Sequence, residues 1–171
     1  MMNHSAGFKT VAMLAVFLAM AACTKKNTPD LDAGLNGGGQ NGDVGAGFGP
    51  GTKGEFETTI GNKVYFLVDQ SSLTPEGRDT LTRQADWLKQ YPNVTVQVEG
   101  HADERGTREY NISLSARRAT TTRNFLLSQG VPGSRISSIA YGKERPAALC
   151  DAEECWSQNR RTVTVVTGGA N

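Results

Sequence analysis

Of the 20 glycines in this 171-residue chain, ten fall between Gly34 and Gly54. A stretch so rich in Gly, with Asn, Asp and Pro between, offers too little apolar surface to offset the entropy of ordering it, and it reads as a flexible linker. Whatever folds must come from roughly the last two-thirds of the sequence, which is room for one domain of ordinary size. The linker is expected over residues 23–58 and the domain over residues 59–171. From Thr24 to Thr58 such a tether has a root-mean-square span of about 30 Å and a taut limit near ~115 Å.

Residues 1–22 carry Lys9 and no acid, and a run of apolar and small residues extends from Val11 to Ala22. The run is too short for a permanent membrane helix, which needs about 20 residues, and has the form of a secretory signal peptide. Leu18, Ala19, Met20, Ala21, Ala22 and Cys23 resemble a bacterial lipobox, with Met20 where Leu is usual. Cys23 is then the lipidated N-terminus, and acyl chains at about 0.8 kcal/mol per buried CH₂ hold the protein on a membrane. By the sorting rule for such lipoproteins, Thr24 in place of Asp favours the outer membrane.

The remainder alternates strands and helices. Lys63 to Val68 is β-branched and aromatic, as a strand requires. Thr74 and Pro75 make a capped helix start, Leu81, Ala85 and Leu88 recur on one face, and Pro92 closes the segment. Val94, Val96 and Val98 alternate with polar residues in a strand with one buried face. A second helix is expected from Asn111 to Gln129 before Gly130, then a short strand at Ser138 to Tyr141, a turn region, and a last strand from Arg161 to Thr167. The class is α+β, a mixed sheet covered by helices on one face in two layers.

Polar and charged residues crowd the loop after the buried strand: Gly100, His101, Ala102, Asp103, Glu104, Arg105, Gly106 and Thr107. At ~100° per residue, Asn111, Ser115, Arg118 and Thr122 of the following helix fall within an arc of about 60°. They predict a polar face apart from an apolar stripe of Ile112, Ala116, Ala119, Leu126 and Leu127. An acid in the loop and an arginine on that face make a receptor for a zwitterion: Asp103 for an ammonium, Arg118 for a carboxylate. The alternative is an Asp103–Arg118 salt bridge that orders the loop. His101, Asp103 and Glu104 also allow a hydrolase reading. A metal site is not expected, because only one His remains once residues 1–22 are removed. His101 is expected to hydrogen-bond within the loop, and Trp87 and Trp156 to sit in the core. Eighteen Lys and Arg against 17 Asp and Glu leave no basic excess for nucleic acid.

The motif G-H-A-D-E-R-G-T followed by N-x-x-L-S-x-x-R-A resembles the OmpA-like peptidoglycan-binding domain, from about Val64 to Val166. With lipobox and tether, the whole chain resembles the lipoproteins of the Tol-Pal system. The resemblance implies a non-catalytic, cofactor-free outer-membrane lipoprotein whose head faces the periplasm and holds peptidoglycan by its diaminopimelate stem, with Asp103 on the ammonium and Arg118 on the carboxylate. It also implies TolB and other Tol proteins as partners and a role in drawing the outer membrane inward at division. Asp69, Thr107, Asn111 and Ser115 are expected to support the pocket. Many relatives carry an acid directly after the first-strand Phe; here Leu67 follows Phe66, although Asp69 keeps the motif's second acid. The rival readings are a wall-anchoring lipoprotein outside the Tol system and a cell-wall hydrolase.

Cys150 and Cys155 enclose four residues. In an exported chain two such thiols are expected to form a disulfide, and with Cys23 consumed by lipid no thiol is left over.

Overall fold

A computed structural model describes residues 48–171. The signal peptide, Cys23 and the linker as far as residue 47 lie outside the described residues. Four strands, β1 (Lys63–Tyr65), β2 (Thr95–Gly100), β3 (Ile136–Ala140) and β4 (Arg161–Gly168), form one sheet in the order β1-β4-β2-β3. Strand β4 runs antiparallel to both its neighbours, whereas β2 and β3 are parallel. The helices are α1 (Lys53–Glu55), α2 (Pro75–Gln90), α3 (Arg108–Ser128) and α4 (Glu153–Asn159). Since parallel strands cannot be joined by a tight hairpin, α3 forms the crossover between β2 and β3.

Strand period and register decide which face is covered. Val96, Val98 and Gly100 are buried, and in register they lie beside Val166, Thr164 and Thr162 of β4. Helix α2 reaches this face through Gln84, whose amide donates to Gly61 O at 2.7 Å while its carbonyl accepts from Thr164 Oγ1 at 2.8 Å. Helix α3 reaches it through Thr122, 3.0 Å from Thr162 Oγ1. It approaches most closely at Gly100, where a Cβ would stand 2.1 Å from Ser115 O. Only glycine admits that crossing. The two-layer α+β arrangement is thus the one expected.

Local chemistry sets the helix starts. Thr74 accepts from Gly77 N at 3.1 Å and Pro75 follows, so α2 begins at the capped position. Thr107 accepts from Tyr110 N at 3.2 Å and starts α3 at Arg108, three residues before the expected Asn111. The first strand is shorter than Lys63 to Val68. Phe66 N still donates to Arg160 O at 2.9 Å, after which the chain turns, with Asp69 in the left-handed region at φ 57°. The third strand is Ile136–Ala140 rather than Ser138 to Tyr141, and α4 occupies the expected turn region.

Two expectations are corrected. The polar arc of α3 is its buried face: Asn111, Ser115, Arg118 and Thr122 are each at most 1% exposed, because the sheet and the loops beyond it supply hydrogen-bond partners that apolar packing would not need. The linker also ends sooner than Thr58. Helix α1 and a π-helical turn, Phe56–Gly61, pack on the domain, with Phe56 fully buried and its ring 4.8 Å from Trp87. Glu55 accepts from Trp87 Nε1 at 2.6 Å, and Asn171 N donates to Gly51 O at 3.1 Å. Phe56, the Thr52 cap and these two hydrogen bonds hold in place a segment whose composition reads as linker.

Candidate binding site

Past the end of β2 the chain must leave the sheet, and the loop that results is pinned from three sides. His101 N donates to Arg161 O at 2.9 Å and Ala102 N to Gly142 O at 2.8 Å. Lys143 Nζ donates to Glu104 O and Gly106 O at 2.9 and 2.8 Å. From α3, Asn111 Nδ2 donates to Arg105 O at 2.8 Å. Against this loop lies a cavity of about 220 Å³ lined by Asp69, Asp103, Arg105, Asn111 and Arg118, with Val68, Gly106, Tyr110 and Leu114 completing it.

Arg118 is fully buried. Its guanidinium donates from Nε to Gln70 O at 2.8 Å, from Nη1 to His101 O at 2.9 Å and from Nη2 to Leu67 O at 3.2 Å. The side chain therefore ties the β1–α2 loop to the β2–α3 loop and spends three of its N–H groups on backbone. Two of the five N–H groups are not used by these bonds. Burial lowers its pKa to about 10, offset in part by Asp103 and Asp69, so the group is a cation at neutral pH.

Asp103 is only 8% exposed. Oδ1 accepts from Arg105 N at 3.2 Å and Arg105 Nε at 3.3 Å, and Oδ2 from Arg105 Nη2 at 2.5 Å and Arg160 Nη1 at 3.3 Å. Burial alone would raise its pKa, but the hydrogen bonds from Arg105 and Arg160 outweigh it and hold the carboxyl below the usual range. The ion pairs of Asp103 are with Arg105 and Arg160, so the loop-ordering salt bridge is not the Asp103–Arg118 pair weighed from sequence.

Of the four residues expected to support the pocket, Asp69 and Asn111 line it. Asp69 also accepts a short hydrogen bond from the Tyr110 hydroxyl. Thr107 and Ser115 do other work: Thr107 caps α3, and Ser115 Oγ accepts from Gly142 N at 2.9 Å beneath Gly100. The Leu67 side chain is exposed and lines a larger cleft of about 460 Å³ with Tyr65, Phe66, Glu76 and Arg160. That cleft contains neither Asp103 nor Arg118.

The hydrolase trio is not assembled. Glu104 accepts from Trp156 Nε1 at 2.8 Å, Asp103 is held by arginines, and the His101 ring packs on Tyr141 at 5.6 Å between centroids. The expected hydrogen bond within the loop is absent: among the described residues neither ring nitrogen of His101 has a partner in full hydrogen-bond geometry, Glu99 Oε2 lies 3.6 Å from Nε2, and the backbone of Arg145 is the group that favours the protonated ring. Trp156 is half-buried beside the site rather than in the core, while Trp87 is a core residue. Cys150 and Cys155 are disulfide-bonded, Cα atoms 5.6 Å apart, at the start of α4. From sequence alone Arg105 and Tyr110 have no site role, the D-E-R run being the signal for Arg105; Arg160 is expected from sequence only to position the last strand or to pair with nearby acids, and it pairs with Asp103 and Glu153.

The model of the OmpA family matches residues 65–160. The peptidoglycan-associated lipoprotein of Rhizobium meliloti is 49% identical over 160 residues, covering 92% of this chain and 87% of that protein. The chain belongs to the peptidoglycan-associated lipoproteins of the OmpA family. The protein of that name from Pseudomonas aeruginosa is 38% identical, with 90% of this chain and 94% of that one covered. Among solved structures, the peptidoglycan-associated lipoprotein from Burkholderia pseudomallei superposes with a TM-score of 0.62 at 34% identity, covering 65% of this chain and 96% of that one. The matched family segment contains the whole loop, Arg118 and Arg160, so the cavity lies within the family's own fold.

Proposed function

We propose that this protein is an outer-membrane lipoprotein, lipidated at Cys23, whose periplasmic head binds peptidoglycan non-covalently through the zwitterionic end of diaminopimelate in the stem peptide. One observation carries the reading: a buried acid and a buried arginine, Asp103 and Arg118, line a single cavity of about 220 Å³ together with Asp69. An amino-acid terminus bears an ammonium and a carboxylate on one carbon, and a pocket with fixed charges of both signs, acids at Asp69 and Asp103 and a guanidinium at Arg118, receives it in one orientation. The spare N–H groups of Arg118 take the carboxylate, and Asp103 takes the ammonium. Family membership supports the same ligand class, since the relatives are named for association with peptidoglycan. No bond is broken in this role, and the tether and lipid make the binding a link between membrane and wall. Within the Tol-Pal system, with TolB as partner, that link supports envelope integrity and inward movement of the outer membrane at division.

Co-sedimentation with purified sacculi tests the site. Asp103→Asn keeps the shape and removes the charge, so the variant is expected to stay in solution while the wild type pellets. Arg118→Lys is expected to weaken retention as well, because an ammonium cannot reproduce the planar fork. Circular dichroism checks that both remain folded, and equal retention of both variants would sink the site assignment. Pull-down from solubilised envelopes addresses the partner: absence of TolB moves the protein outside the Tol system and leaves wall binding untouched.

A further inference from the structure

We propose that Arg105 is a built-in competitor for the ligand's ammonium, and that its displacement from Asp103 sets the selectivity of the cavity; this rests on the zwitterion reading above. A carboxylate offers about four lone-pair positions. On Asp103 all four are taken, by the backbone N, Nε and Nη2 of Arg105 and by Nη1 of Arg160. An incoming ammonium therefore needs one of these donors to leave.

The two arginines differ in their freedom to do so. The Arg160 side chain is 6% exposed and also donates to Phe66 O at 3.2 Å and to Glu153. It is built into the wall. The Arg105 side chain is 39% exposed, and among the described residues its guanidinium hydrogen-bonds only Asp103. Its backbone stays fixed when the side chain swings, because Asn111 holds Arg105 O. Besides Asp103, the ring of Trp156, 4.2 Å away and itself oriented by the bond from Nε1 to Glu104, and the charges of Glu153 and Glu104 hold the guanidinium in place.

Charge accounting gives the consequence. With Arg105 docked, Asp103 is already neutralised. A ligand without a cation that pushes Arg105 aside leaves a buried acid short of a partner, whereas a ligand bringing an ammonium exchanges one cation for another. The arginine thus raises the threshold for every ligand and raises it most for those lacking an ammonium.

The test uses the full lipidated chain in detergent micelles with purified sacculi, and free meso-diaminopimelate as the soluble probe. Arg105→Ala is expected to bind sacculi about tenfold more tightly than wild type, the scale of one lost charge-assisted hydrogen-bonded competitor. Arg105→Lys, which keeps the cation without the fork, should fall between. In the wild type, meso-diaminopimelate should change tryptophan emission as the guanidinium leaves the ring. That change should vanish in Arg105→Ala and in Trp156→Phe, which separates it from Trp87. If Arg105→Ala is folded and binds equally or more weakly, the proposal is overturned, weaker binding meaning that Arg105 itself touches the wall. Retention lost in Asp103→Asn but unmoved in Arg105→Ala sinks the competitor alone. Failure of wild type and Arg105→Ala alike to pellet sinks the zwitterion reading and this one with it.

Discussion

Acid should weaken this fold through one side chain, His101. Its ring is buried, and burial, then the positive charges of Arg161 and Arg145, outweigh the backbone of Arg145, which favours the protonated form, and lower its pKa from 6.5 to about 4. A group whose folded pKa lies below its unfolded one takes up a proton first in the unfolded chain. Stability is therefore lost as pH falls from 6.5 toward 4 and regained as it rises. Integrated between pH 7 and 4.5, a shift of that size amounts to about 2 kcal/mol from this residue. Urea unfolding of a chain beginning at Thr24, followed by circular dichroism at several pH values across that range, measures the slope. His101→Phe keeps a ring against Tyr141 and removes the titration, so its stability should vary less with pH by about the same 2 kcal/mol. Carboxylates held below their usual range, such as Asp103, remain in both proteins and cancel in the comparison. Parallel slopes for the two proteins would refute the reasoning, showing that the ring is solvated or paired in solution.

Gly100→Ala should be among the most damaging single changes, costing about 3 kcal/mol or preventing folding, because the added carbon meets the Ser115 carbonyl of α3 and the Ala119 side chain one turn on; thermal melts read this directly. Phe56→Ala should cost about 3–5 kcal/mol in urea unfolding, since the ring is fully buried against Trp87; an unchanged midpoint would return residues 53–61 to the linker.

Helix α2 and strand β2 could be read from the chain because their signals are local: a hydroxyl before a proline, three apolar residues on one face, valines in alternation. The same logic misread α3. Its polar arc is regular, and periodicity says that polar and apolar residues separate, not which side faces water. Here Ser115 and Thr122 pair with Gly142 and Thr162, and Arg118 with three carbonyls, so the polar side turns inward. Asp103 and Arg118 were identifiable by type and motif. Their partners were not, since Arg160 lies 57 residues from Asp103 in sequence and meets it only once β4 is inserted between β1 and β2. The ordering of residues 53–61 escaped composition because one aromatic ring outweighs several small residues when a site exists to receive it.

The meeting of Gly51 with Asn171 has a mechanical meaning. It lies at the end of the sheet where β4 finishes, whereas Asp103 follows the other end, where β2 finishes. A pull between these points runs along the strands, and it tends to slide β1 and β2 past β4 instead of peeling them away. Ladder hydrogen bonds lie across the strands, so sliding strains many together where peeling would break them singly. A domain loaded in this direction should give way slowly under force, a property set by its unfolding rate rather than its equilibrium stability.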